Sequence, residues 1–109
     1  MGAMQRTKGA VAEREIVAIL REHGWTHADR TSDGRRQHGR GDITSGPAGV
    51  HIEIKRHERL NVPAAVRQAH AEADPLDVPI VVHRPSRCEW MATLPLDELL
   101  ALLALRERS

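Results

Sequence analysis

The apolar positions change period along the chain, and the changes mark its elements. Over residues 8–23, Val11, Ile16, Val17, Ile19 and Leu20 recur at helical spacing, and Gly24 stands where such a helix would stop. WTHADRT then reads as a short strand. A glycine- and arginine-rich loop follows, then a strand over 42–44 that returns through GPAG into a strand over 50–56. These three strands form a β-meander. Residues 63–73 predict a second helix, with Pro63 suited to a first helical position and Pro75 beyond its end. PIVVHR is a nearly continuous apolar strand, and CEWMATL alternates with Trp90, Ala92 and Leu94 on one side. A leucine-rich helix over 97–106 closes the chain. The order αβββαββα implies an α/β fold in which helices flank a mixed β-sheet.

Alternation within GDITSGPAGVHIEIK raises the first chemical question. Val50, Ile52 and Ile54 face one side of the strand, and His51, Glu53 and Lys55 face the other. With residues 46–49 as the turn, Ile43 opposes Ile52 and Asp42 opposes Glu53. A slip of one residue would separate the isoleucines and set Asp42 against Ile52, so burial favours the first register. Two carboxylates are thereby brought onto one outer face, where they repel. A divalent cation with oxygen ligands such as Mg²⁺ would offset them, and Lys55 beside it could orient a water or counter charge on a phosphate. The competing reading is a surface salt bridge among Asp42, Glu53 and Lys55. Glu13 lies on or beside the apolar stripe of the first helix, where a carboxylate is costly unless paired or bound to metal, and it is a candidate third acid. Arg14, Glu15, Arg21 and Glu22 fall at more exposed positions.

Composition sharpens this picture. The chain has 109 residues, enough for one domain, with no Phe or Tyr and only Trp25 and Trp90 as large aromatics. The core is therefore thin, and dimerisation would help it. Residues 1–60 carry 11 Lys/Arg against 8 Asp/Glu, whereas residues 61–109 carry 5 against 7. The basic surface belongs to the first half, and DRTSDGRRQHGRG concentrates Arg30, Arg35, Arg36 and Arg40 with His38 in a loop suited to phosphates, or simply to solvent. His51 on the Glu53 face could touch phosphate, and Arg56 extends the basic character past the strand.

A lone cysteine, Cys88, excludes an internal disulfide and suits a cytoplasmic protein. Seven histidines include no HxxxH or HExxH pair on a predicted helix, so a structural zinc site is not expected. The leucine-rich tail is interrupted by Pro95, Asp97 and Glu98 and is not a membrane span. The opening MGAM is compatible with a cloning remnant and carries no functional weight.

KGAVAEREIVAILREHGW, GDI and HIEIKR together resemble the PD-(D/E)XK nuclease superfamily, and within it the archaeal and phage Holliday junction resolvases. The resemblance covers residues 8–56, with weaker agreement through RQA, PIVVHR and WMATL. It implies a restriction-endonuclease-like core over the single domain 1–109. Asp42, Glu53 and the backbone carbonyl of Ile54 would ligate Mg²⁺, with Mn²⁺ as a substitute. Lys55 would position the attacking water. Glu13 would reach the metal directly or through water, Arg14 would contact the DNA backbone or stabilise the site, and Gln68 would lie near the site. Gly41 replaces the proline of the superfamily name. The resemblance further implies a homodimer that cuts branched four-way junctions, acting in the cytoplasm of the cell or of a phage's host. A nuclease for flaps, nicks or a short sequence, a catalytically silent DNA-binding module, and a protein-interaction domain built on the last helix are the competing functions.

Overall fold

The computed structural model describes residues 2–31 and 41–109. Its elements are α1 (Gly2–Glu22), β1 (Asp29–Arg30), β2 (Ile43–Thr44), β3 (Val50–Lys55), α2 (Val62–Glu72), β4 (Val78–His83), β5 (Met91–Thr93) and α3 (Leu96–Arg108). This is the order that the apolar pattern predicts. The protein is α/β, with three helices and two sheets among the described residues.

The larger sheet is mixed. β3 runs parallel to β4 from Val50 opposite Val78 to Lys55 opposite His83, and β5 pairs antiparallel with β4. Parallel neighbours need a crossover, which α2 supplies. Asn61 starts that helix by accepting the Ala64 amide on its side chain at 3.1 Å, and Pro63 sits in the first turn, where its missing N–H is harmless.

The expected β-meander does not form. β2 pairs antiparallel with β1, in a separate two-stranded sheet with Arg30 opposite Ile43. β2 is two residues long and bracketed by Gly41 (φ 66°) and Ser45 (φ 59°). Left-handed backbone at both ends breaks the extended run that a longer ladder requires. Along its other edge, β3 is instead met by Asp42: the Asp42 N–H donates to the Ile52 carbonyl at 2.8 Å, and Asp42 Oδ2 accepts from the Ile54 N–H at 2.7 Å. On β3 the backbone partner of Asp42 is thus Ile52, not Glu53. A carboxylate takes the place of a strand carbonyl. Ile43 and Ile52 still meet, but as members of one core rather than as ladder partners.

Period-two alternation in β3 and β4 divides the interior. On one face Ile16 and Val17 of α1 pack with Ile43 and Ile52, flanked by Leu20, Ile54, Val82 and Trp90. On the other, Ala65 and Ala69 of α2 pack on Val81. Half of the buried apolar residues described are alanines. Small side chains bring α2 close to the sheet, at the expense of apolar area. Glu15, expected to be solvated, is a fastener: its Oε2 accepts from Arg84 Nη2 and Trp90 Nε1, each at 3.0 Å, and Arg84 lies over the Trp90 ring. α3 has no buried residue, and Leu96, Leu100 and Leu105 are each more than half exposed. No helix described is long and apolar enough to cross a membrane.

Gly41 permits the approach of Asp42 to β3. A Cβ there would stand 2.6 Å from the Ile52 carbonyl oxygen, in a backbone conformation that already disfavours side chains. Gly41→Ala should therefore lower stability by about 2 kcal/mol or more, read from urea denaturation. An unchanged midpoint would show that the contact is not required.

Candidate functional site

β3 delivers His51, Glu53 and Lys55 to one face, as its alternation predicts, but that face is not open to solvent. α2 covers it, and His51 is 1% and Glu53 6% exposed. The expectation of an outer working face is corrected accordingly: apolar Val81, which lies opposite Glu53 in the parallel ladder, draws the helix over both. His51 Nε2 lies 2.8 Å from Glu53 Oε1. Asp42, 4% exposed, approaches from the other edge of β3. The surface salt bridge among Asp42, Glu53 and Lys55 does not describe this arrangement, because Glu53 is buried and its partners are His51 and Glu72.

Glu72 is the residue that sequence reasoning missed. It follows Ala65 by seven positions and Ala69 by three, which places it on the buried stripe of α2. That spacing was the available signal. One carboxyl oxygen of Glu53 and one of Glu72 lie within 4.8 Å of each other. Gln68 Nε2 donates to Glu72 Oε1 at 3.1 Å, and Lys55 Nζ lies 3.5 Å from Gln68 Oε1. A polar chain thus runs from buried His51 out to Lys55, and Gln68 lies in it.

Electrostatics follows from this enclosure. Burial, and then the negative charge of Asp42, push the Glu53 carboxyl up to about 7, against the pull of the His51 hydrogen bond. Glu72 is held below the usual glutamate range, first by its bond from Gln68. Asp42 and Glu53 are therefore close enough to feel each other's charge in a poorly solvated place. Such a pair is chemically suited to a hard cation, to a shared proton, or to general acid–base work.

The remaining expected residues divide. Glu13 accepts from Arg30 Nε at 2.9 Å in a partly buried ion pair, so Arg30 serves an acid here while lying opposite Ile43, next to Asp42. Thr31 N–H donates to the Asp42 carbonyl, which ties this ion pair's strand to the acid. Ile54 contributes its N–H to Asp42, as described. Arg14 is exposed on α1. Arg56 bonds Glu58 at 3.3 Å and Ser86 Oγ at 2.9 Å, closing the end of β3. Arg35, Arg36 and Arg40, with His38, lie outside the described residues. The structure thus brings His51, Glu53 and Lys55 of β3 together with Gln68 of α2, with Asp42 approaching from the other edge, and holds Arg56 in a separate cluster.

No protein-family model, curated protein or solved structure matches the chain.

Burial of Glu53 has a measurable consequence in metal-free buffer. In the unfolded chain its pKa returns to about 4.5, so between about 4.5 and about 7 the native state holds the proton that the unfolded state releases. Stability should fall as pH rises through that window, with the penalty fully present above 7 and absent below 4.5. Urea titrations in EDTA should show this fall in the wild type and a flatter profile in Glu53→Gln. Parallel profiles for the two chains would contradict the assignment.

Proposed function

We propose that this chain is a metal-dependent DNA endonuclease with a restriction-endonuclease-like core, acting on branched DNA of the four-way junction type. The observation that carries the reading is the pair of buried acids, Asp42 and Glu53, in an Asp…Glu-x-Lys pattern, with Glu53 raised toward neutrality beside Asp42. Buried like charges are expensive, and two carboxylates near enough to feel each other's charge fit Mg²⁺ or Mn²⁺. Asp42, Glu53 and the Ile54 carbonyl would hold the ion, with Glu13 reaching it directly or through water. When bound, the ion supplies a water of lowered pKa and neutralises charge on the scissile phosphate.

The chain's own residues have distinct tasks. Lys55, at the solvent end of the polar chain, orients the attacking water and offsets charge that builds on the phosphate. Gln68 holds the Lys55 ammonium and the Glu72 carboxylate at fixed places. Arg14 and the arginine-rich stretch DRTSDGRRQHGRG would bind the DNA backbone, a salt-dependent interaction without sequence preference. The enclosure of Glu53 by His51 and Glu72 also favours a second reading, a DNA-binding module in which the acids are structural.

Cleavage assays separate these functions. Synthetic four-way, flap, nicked and linear DNA should be incubated with Mg²⁺, Mn²⁺ or EDTA. The expected result is metal-dependent cutting, greatest on the four-way junction, which falls by about 100-fold or more in Asp42→Asn and Glu53→Gln with DNA binding retained; outer-shell losses alone reach about 10- to 100-fold in metal affinity. Cutting of flaps or linear DNA in preference would reassign the substrate. Salt-sensitive binding with no cutting would leave the binding module.

The reading includes a homodimer formed by a second copy across α3. Leu96, Leu99, Leu100 and Leu103 share one stripe of this helix, and all are exposed. Asp97 in its first turn and Arg108 in its last flank that stripe on the same side, about three turns apart. Two copies packed antiparallel would bury the leucines and set each Asp97 against the partner's arginine, an isologous contact. Light scattering should give twice the 12.1 kDa of one chain. Leu100→Glu with Leu103→Glu should return the chain to one copy, and a monomeric wild type would exclude this contact.

A further inference from the structure

His51, Glu53 and Glu72 form a second constellation that the nuclease reading does not use as a unit. Alternation in β3 puts His51 and Glu53 on one face, and the buried stripe of α2 lowers Glu72 onto them. One ligating atom from each lies within 4.8 Å of the other two. The histidine is almost wholly enclosed, and its Nδ1 has no hydrogen-bond partner among the described residues, so the ring's polar engagement is directed at Glu53. The imidazole and the Glu53 carboxylate are withdrawn from water beneath α2, with the partly buried Glu72 carboxylate facing them, and a proton or a cation between the three would offset that desolvation.

The donor set selects the cation. Mg²⁺ and Ca²⁺ take oxygen ligands, whereas an imidazole nitrogen with carboxylates suits Zn²⁺, Mn²⁺, Fe²⁺ or Co²⁺. We propose that His51, Glu53 and Glu72 form a binding site for a first-row transition-metal dication. Gln68 acts as a positioning residue, because its amide holds Glu72 Oε1 and is in turn held by Lys55. The site shares Glu53 with the proposed nuclease centre, but does not depend on nuclease activity, and it does not require Asp42. The motif patterns expected of a zinc site miss it because two ligands stand at i and i+2 on a strand and the third lies on a later helix.

Zn²⁺ binding to the chelator-treated full chain tests this by calorimetry and by the shift in Tm. The wild type should bind Zn²⁺ in preference to excess Mg²⁺ and gain thermal stability. His51→Gln and Glu72→Gln should each weaken Zn²⁺ binding by at least about 10-fold, and Gln68→Ala and a folded Asp42→Asn should each weaken it less. Glu72→Gln preserves size at a partly buried position, and circular dichroism of each variant checks that it is folded. Zn²⁺ binding that survives Glu72→Gln, that is lost in Asp42→Asn, or that is absent from the wild type would overturn the proposal. Loss of DNA cleavage alone would count against the nuclease reading and leave this site standing.

Discussion

The edge of β3 is closed by a side chain. Asp42 donates its backbone N–H to Ile52 and accepts the Ile54 N–H on its carboxylate, while its own carbonyl takes the Thr31 N–H. One residue thus fastens the two-stranded sheet to the larger one. Without it, β3 would present unpaired backbone groups at that edge, a costly arrangement where neighbouring side chains are buried. Because the link runs through a carboxylate, closing the sheet also installs a negative charge beside Glu53. Fold and site share this interaction, and Gly41 makes the close approach possible.

The second constraint is the cover over the polar face of β3. Ala65 and Ala69 let α2 sit near Val81, and that proximity encloses His51 and Glu53 instead of leaving them at a surface. A helix faced with larger residues would stand farther off, and water would screen the acids. Desolvation, not Coulomb repulsion from Asp42, is the larger cause of the raised Glu53 pKa. The thin core therefore has a chemical result: little apolar bulk separates α2 from the acids.

Much of this could be read from the sequence. The change from helical to alternating period located the elements in their order, and the alternation in VHIEIK placed Glu53, His51 and Lys55 on one face. The strand pairing was misread for a physical reason. Stacking Ile43 on Ile52 implies a hairpin ladder, yet the two side chains meet within a core formed with α1 while β2 pairs with β1. Left-handed backbone at Ser45 carries no glycine signature, so the break was not visible. Burial of the polar face was missed because it depends on the alanine stripe of α2, which looks unremarkable without its target. Glu15 was misplaced similarly, since its partners Arg84 and Trp90 lie about seventy positions away in the chain.

The central claim is that Asp42 and Glu53 converge to share a divalent cation. Its most direct test is a crystal structure of the chain grown with Mn²⁺, with anomalous scattering collected to locate the ion. The account predicts an anomalous peak touching both the Asp42 and Glu53 carboxylates, at about 2.0–2.6 Å from their oxygens. Ordered carboxylates with no peak at either, and Glu53 still engaged only by His51 and Glu72, would contradict it.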